Sequence, residues 1–338
     1  MSSIEEKTDN LDIINEEGLC KAILRNDYLE VVFLPEYGGK MAKLYRLDSG
    51  HQYLLDSQFP NGEYKKAEYG APFDAYDTSG FDECFPTVSD ASVAVTEQGH
   101  SRQLDFPDHG ELWSREWKVS TEGDVLILYI EGIEADYSFE KRIELEEATV
   151  KIHYSLNNKE DFDMPSIWSA HPLLKISEGS EIITEDFAQS VVNWASDSNI
   201  GTFGDSLSWP VIEIGGKQVD LRKVPDKSFG KTAKLFSEKL KKGVAGLYRQ
   251  DWDESIVFDF DPAKVPYLGL WLCYGGWPEE SDNKHYTLGI EPTTGWPDSL
   301  SEAVRWGDKR SIKANSKFEW SLDITIQNGK FDIDDFSI

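Results

Sequence analysis

The chain has 338 residues, enough to bury a sizeable core as two ordinary domains or one large β domain. Its formal charge of −28 and pI near 4.5 argue against nucleic acid or an anionic membrane as a partner, since both need a basic footprint. Three widely spaced cysteines, Cys20, Cys84 and Cys273, include no Cys-x-x-Cys pair, which disfavours a disulfide framework or a structural zinc site.

Residues 1–17 read as a mobile acidic lead-in. Met1 to Asn10 is polar with no apolar signal core, and no stretch reaches the roughly 18 apolar residues of a membrane span. A cytoplasmic protein is the expectation. Two apolar runs, Cys20 to Leu24 and Leu29 to Leu34, flank Asn26-Asp27 as a hairpin. Pro35-Glu36-Tyr37-Gly38-Gly39 turns the chain, and Lys40 to Leu47 alternates again. From Asp56 to Phe81 the periodicity fails. Its length and its aromatics (Tyr64, Tyr69, Phe73, Tyr76, Phe81) predict an ordered lid or wall.

Strand patterns resume at Trp117 to Thr121, Val125 to Ile130, Tyr137 to Leu145 and Val150 to Leu156. Lys231 to Lys242 predicts a helix, with lysines toward its C-terminal end and Gly243 as its cap. Later strands are Ile256 to Phe260, Tyr267 to Tyr274, Tyr286 to Ile290 and Phe318 to Ile326. In the last, Phe318, Trp320, Leu322, Ile324 and Ile326 share one face. About a dozen short strands, one helix and no βαβ rhythm predict an antiparallel all-β fold, a large sandwich at this length. No linker divides residues 18–338, so a single domain is expected there.

Glu291 stands where the Tyr286 to Ile290 strand is expected to stop, because Pro292, Gly295 and Pro297 follow. A carboxylate held there by a sheet, with Trp296 as a wall, suits a general base; a solvated surface glutamate is the plain alternative. Of six histidines, His51, His100 and His285 fall in turns, and His153 lies on the outward face of its strand. His109 sits in the turn Pro107-Asp108-His109-Gly110. His171 precedes Pro172, which favours extended geometry and is expected to end that strand. An imidazole at an apolar strand end suits a general acid, and a structural histidine is the alternative. No Gly-x-Ser-x-Gly elbow, phosphate loop or dinucleotide fingerprint occurs. The acidic cluster Asp74, Asp77, Asp82 and Glu83 fits a solvated loop better than a calcium site.

Five ordered segments resemble the aldose 1-epimerase (galactose mutarotase-like) superfamily. They are Val32 to Lys40, with its Tyr-Gly-Gly turn; Gly80 to Pro86, ending in Phe-Pro; Asp108 to Trp117, with His-Gly; Ser169 to Pro172, with His-Pro; and Gly289 to Leu300, with Glu-Pro and Trp-Pro-Asp. The resemblance covers about residues 29 to 326. It implies a β-supersandwich and an enzyme that interconverts the α and β anomers of a sugar by ring opening. On this chain it implies His171 as general acid, Glu291 as general base and His109 as a substrate contact. Asp82 and Glu83 then become candidates for sugar hydroxyls, and Trp113, Trp168 and Trp296 for stacking on a sugar ring. Mutarotation also proceeds slowly in water, so no metal or other cofactor is expected. The segment Thr87-Val88-Ser89-Asp90 lacks the arginine usual in galactose mutarotases. Trp113 stands where the hexose 6-phosphate branch tends to carry an arginine, which points to an unphosphorylated small-molecule sugar. A non-catalytic sugar binder, or a sugar isomerase, epimerase or lyase acting at another carbon, are the alternatives.

Overall fold

The computed structural model describes residues 6–7, 10–16, 18–76 and 78–336. About 51% of the chain is strand and about 6% helix. The fold is therefore all-β, built of large antiparallel sheets with few short helices. The chain forms two compact units. The first holds the residues up to His171 together with Thr294–Asp323; the second holds Pro172–Thr293 and the residues from Ile324 on. Among the described residues no helix is long and apolar enough to cross a membrane.

In the first unit, Leu11–Glu16, Leu19–Arg25, Leu29–Leu34 and Lys40–Arg46 form an antiparallel meander, and Phe81 pairs with Met41 beside it. The expected lead-in thus contains a strand. Leu11 and Ile13 alternate into the core, which polar neighbours obscure in the sequence. Residues 1–5, 8, 9 and 17 of that lead-in lie outside the described residues. A second sheet runs through Lys118–Glu122, Val125–Glu131, Tyr137–Glu146 and Thr149–Asn158, with Phe139 opposite Leu156 and Ile143 opposite Ile152. Tyr154 and Trp320 stack face to face in its core at 5.0 Å. His153 is half exposed on the other face, as its alternation predicts.

A hairpin and a helix of this unit go beyond the expected set. Ala91–Glu97 and His100–Phe106 form a hairpin whose turn, Gln98-Gly99, has positive φ at both residues (48° and 82°). Leu300–Trp306 is a helix that buries Leu300 and Ala303 and ends at Gly307 in the left-handed region.

In the second unit, Gln189–Ala195, Lys231–Ser237, Tyr267–Tyr274 and Tyr286–Thr293 pair in that order. This corrects the helix expected over Lys231 to Lys242, since its first half is a central strand. Residues 232–237 are all buried, so both faces are covered and no period-2 alternation is visible. Gly243 is not a helix cap: a Cβ there would lie 2.0 Å from the Phe260 carbonyl oxygen, so it marks a close backbone approach. Glu181–Thr184, Val244–Arg249 and Glu254–Asp259 make the other sheet of this unit.

Candidate functional site

The motif segments of the first unit interlock. Gly38 and Gly39, both at positive φ, let the chain pass under the third motif: a Cβ on Gly38 would lie 2.3 Å from the Trp113 carbonyl oxygen, and one on Gly39 3.1 Å from the Trp117 ring. A Cβ on Gly110 would fall 2.1 Å from the Phe85 carbonyl oxygen, so the His-Gly turn rests directly on the Phe-Pro segment. Ile167 N donates to Pro86 O at 2.7 Å, and Trp168 N to Thr294 Oγ1 at 2.8 Å. Val88 N and Ser89 N both donate to Asp298 O at 3.0 Å. The glycines recur because backbone passes backbone here.

This packing places His109. Its N–H donates to Val88 O at 2.6 Å and its φ is 59°, in the left-handed region. Asp108 Oδ1 lies 2.9 Å from His109 Nδ1, while Asp108 Oδ2 accepts the Phe73 N–H at 3.0 Å. Burial pushes the Asp108 carboxyl up, but the bond and charge of His109 and the backbone donors pull it below the ordinary carboxylate range. Phe73, from the expected lid, stacks on the His109 ring at 3.9 Å and meets His171 edge-on at 5.4 Å. The two histidine rings are 5.2 Å apart and nearly perpendicular. His171 is 9% exposed. Trp113 closes the cluster, edge-on to Phe73 at 5.0 Å, with its Nε1 donating to Asp108 O at 3.0 Å. His109, His171 and Trp113, three residues singled out from the sequence, thus form one cluster.

The other sequence candidates of this unit make separate contacts. Glu83 is 1% exposed, with Oε1 accepting from Lys141 Nζ (3.2 Å) and Tyr154 OH (3.0 Å) and Oε2 from Trp168 Nε1 (2.8 Å). Burial pushes Tyr154 well above its ordinary pKa and Lys141 below its own. Trp168, also 1% exposed, packs against Tyr154 and Trp320 in the core. Asp82 forms a buried ion pair with Lys40 at 2.9 Å. The acidic stretch is therefore not a solvated loop at Asp82 and Glu83, because each faces a buried lysine. Asp77 lies outside the described residues. Among the described residues no group of three or more His, Cys, Asp and Glu side chains is placed to hold a metal ion. Trp296 is half-buried, edge-on to Trp306 at 5.3 Å.

Glu291 belongs to the second unit. Its strand runs on to Thr293, with Pro292 opposite Leu268. The proline costs one ladder donor without ending the strand, and the same holds for Pro172 within Ser169–Leu174. Glu291 is 0% exposed and pairs with Lys234 Nζ. The register explains the contact. Glu291 faces Gly269, and Lys234 faces Trp271, which faces Gly289. The two glycines clear the diagonal, and a Cβ on Gly289 would lie 2.6 Å from Glu291 Oε1. Sequence reasoning does not find Lys234, which is 57 residues away from Glu291 in the chain. The same face carries Trp271, with Trp194 at 5.8 Å and Trp277 at 5.9 Å. His285 stands edge-on to Trp277 at 4.8 Å, and burial holds its pKa below the ordinary value.

No protein-family profile matches the chain, and no curated protein matches it in sequence. Solved structures do. The Slr1438 protein from Synechocystis sp. PCC 6803 aligns with a TM-score of 0.69 at 14% identity, over 93% of this chain and 98% of that one. A galactose mutarotase-like protein from Clostridium acetobutylicum gives 0.68 at 16% identity, over 95% and 100%. A candidate aldose 1-epimerase from Escherichia coli K12 gives 0.65 at 15% identity, over 90% and 98%. The chain therefore has the galactose mutarotase-like fold, an all-β supersandwich.

Proposed function

We propose that this chain is an aldose 1-epimerase-like isomerase acting on an unphosphorylated sugar, with His171 as general acid and Glu291 as general base. The histidine cluster carries the reading. Asp108 holds the His109 ring through Nδ1, which leaves Nε2 to contact a sugar hydroxyl. His171 stands beside it in an apolar wall formed by Phe73 and the sheet. Glu291 supports it as a carboxylate fixed by a strand, with the Lys234 ammonium supplying the opposite charge that a buried anion needs.

In the proposed reaction, Glu291 takes the proton of the anomeric hydroxyl while imidazolium His171 gives a proton to the ring oxygen. The C1–O5 bond breaks and leaves an open-chain aldehyde. Rotation about C1–C2 presents the other face, and the same two groups return the protons in reverse as the ring closes. Nothing is oxidised or reduced. Each group is typically worth about 10²–10⁴-fold. The fold likeness and the ordered motifs agree with this chemistry.

Saturation-transfer NMR on a panel of unphosphorylated aldoses tests it, with anomeric exchange above the spontaneous rate expected for at least one. Absence of exchange across the panel tells against the activity. Solvent deuterium appearing at a sugar carbon would move the chemistry to that carbon, since mutarotation moves hydroxyl protons alone.

A further inference from the structure

The second unit carries an aromatic surface that the acid–base pair does not use. Most tryptophans of a β protein sit in its core, as Trp117, Trp168 and Trp320 do here, each at 3% exposure or less. Trp194 and Trp271 instead stay partly exposed on one face of one sheet with their rings 5.8 Å apart, and Trp277, also partly exposed just past the Tyr267–Tyr274 strand, has its ring 5.9 Å from that of Trp271. A tryptophan buries roughly 150–250 Å² when it packs fully, so three left partly open together forgo a large apolar gain. Cross-strand register orders Trp194 and Trp271. Trp194 faces Lys234, Lys234 faces Trp271, and Trp271 faces Gly289, two residues before Glu291. Trp271 thus lies one strand away from the strand of Glu291 and Trp194 three strands away, about 14 Å at roughly 4.8 Å each. One pyranose ring with its hydroxyls does not span that length.

The rim beyond the tryptophans is polar. Ser196, Asp197, Lys231, Gly276, Glu279 and Lys284 line an open depression of about 430 Å³. It carries both charges and hydrogen-bonding groups: Lys231 pairs with Asp197, which also accepts from the Asn199 N–H and Nδ2 at 2.8 Å. Indole faces that stack on sugar C–H groups, beside mixed donors and acceptors for hydroxyls, are the recognition chemistry of a neutral glycan.

We infer that Trp194, Trp271 and Trp277 form a second sugar subsite, so that the preferred substrate is a reducing disaccharide or longer glycan. Its reducing ring lies at Glu291 with Trp271 as a wall, and its next ring stacks toward Trp194 and the polar rim. The placement of the reducing ring rests on the proposed activity.

Calorimetric titration of the full chain with maltose, cellobiose and lactose, against glucose and galactose, tests the inference. The expected result is roughly tenfold tighter binding of at least one disaccharide than of its reducing monosaccharide, about 1.4 kcal/mol. Trp194→Ala is expected to abolish that difference, and Trp194→Phe to keep part of it. If Trp194→Ala does not fold, as its thermal melt would show, Trp194→Phe and Trp271→Phe carry the test through a reduced preference. Equal affinities for disaccharide and monosaccharide in the wild type overturn the subsite, and so does a preference that survives these substitutions. A disaccharide preference without anomeric exchange upholds the subsite and overturns the activity. Exchange without a disaccharide preference does the reverse.

Discussion

Lys234→Met keeps the side chain's length and removes its charge, leaving Glu291 buried without its cation. Both partners are at most 5% exposed, so solvent screening offers little relief. Breaking a buried pair from one side costs about 3–5 kcal/mol, most of it the penalty of the orphaned charge. At about 2–4 °C per kcal/mol for units of this size, the melting temperature should fall by roughly 6–20 °C. The double variant Lys234→Met/Glu291→Gln removes both charges and should recover a large part of the loss. Differential scanning calorimetry of the wild type, the two single variants and the double variant gives the coupling directly. A Lys234→Met shift of a degree or two, or a double variant no better than the sum of the singles, would refute the argument that this pair is a buried, mutually dependent unit.

Other substitutions probe the cluster and its supports. Phe73→Ala removes a 4% exposed ring stacked on His109, and should cost about 3–5 kcal/mol in a melt together with most anomeric exchange. Gly289→Ala puts a methyl group 2.6 Å from Glu291 Oε1; it should lower the rate of anomeric exchange while circular dichroism still shows the folded protein. Gly110→Ala combines a positive φ of 73° with a 2.1 Å approach to the Phe85 carbonyl, and should sharply reduce the yield of folded protein. Asp108 has a depressed pKa, so its contribution to stability is present above the ordinary value of 3.8 and is lost as pH falls through the lowered one. Acid unfolding of Asp108→Asn, followed by circular dichroism, should therefore lose that part of the pH dependence and keep the rest.

Where one face of a strand is polar and the other apolar, the sequence reveals the fold directly. Trp320, Leu322, Ile324 and Ile326 alternate inward as the pattern of Phe318 to Ile326 predicts. The strand Lys231–Ser237 hides because both its faces are covered, and its lysines read as the end of a helix. The helix Leu300–Trp306 did leave a signal: Ser299 and Glu302 have capping-box spacing, and Gly307 follows the last turn. The hairpin at 91–106 is visible in Ala91, Val93 and Val95 against Leu104 and Phe106. For the site, the ordered motifs led to His109, His171 and Glu291, because their glycines and prolines mark fixed backbone crossings. Partners distant in sequence leave no such mark. Lys234 and Phe73 emerge from pairing and packing, and the core placement of Glu83 and Trp168 emerges from Lys141 and Tyr154.

The most direct test of the central claim compares anomeric exchange in the wild type, His171→Asn and Glu291→Gln by saturation-transfer NMR, on a sugar that the wild type turns over. Each variant should lose at least about 100-fold in rate while circular dichroism still shows the β fold. Wild-type rates in either folded variant would contradict the assignment of His171 and Glu291 as the acid and the base.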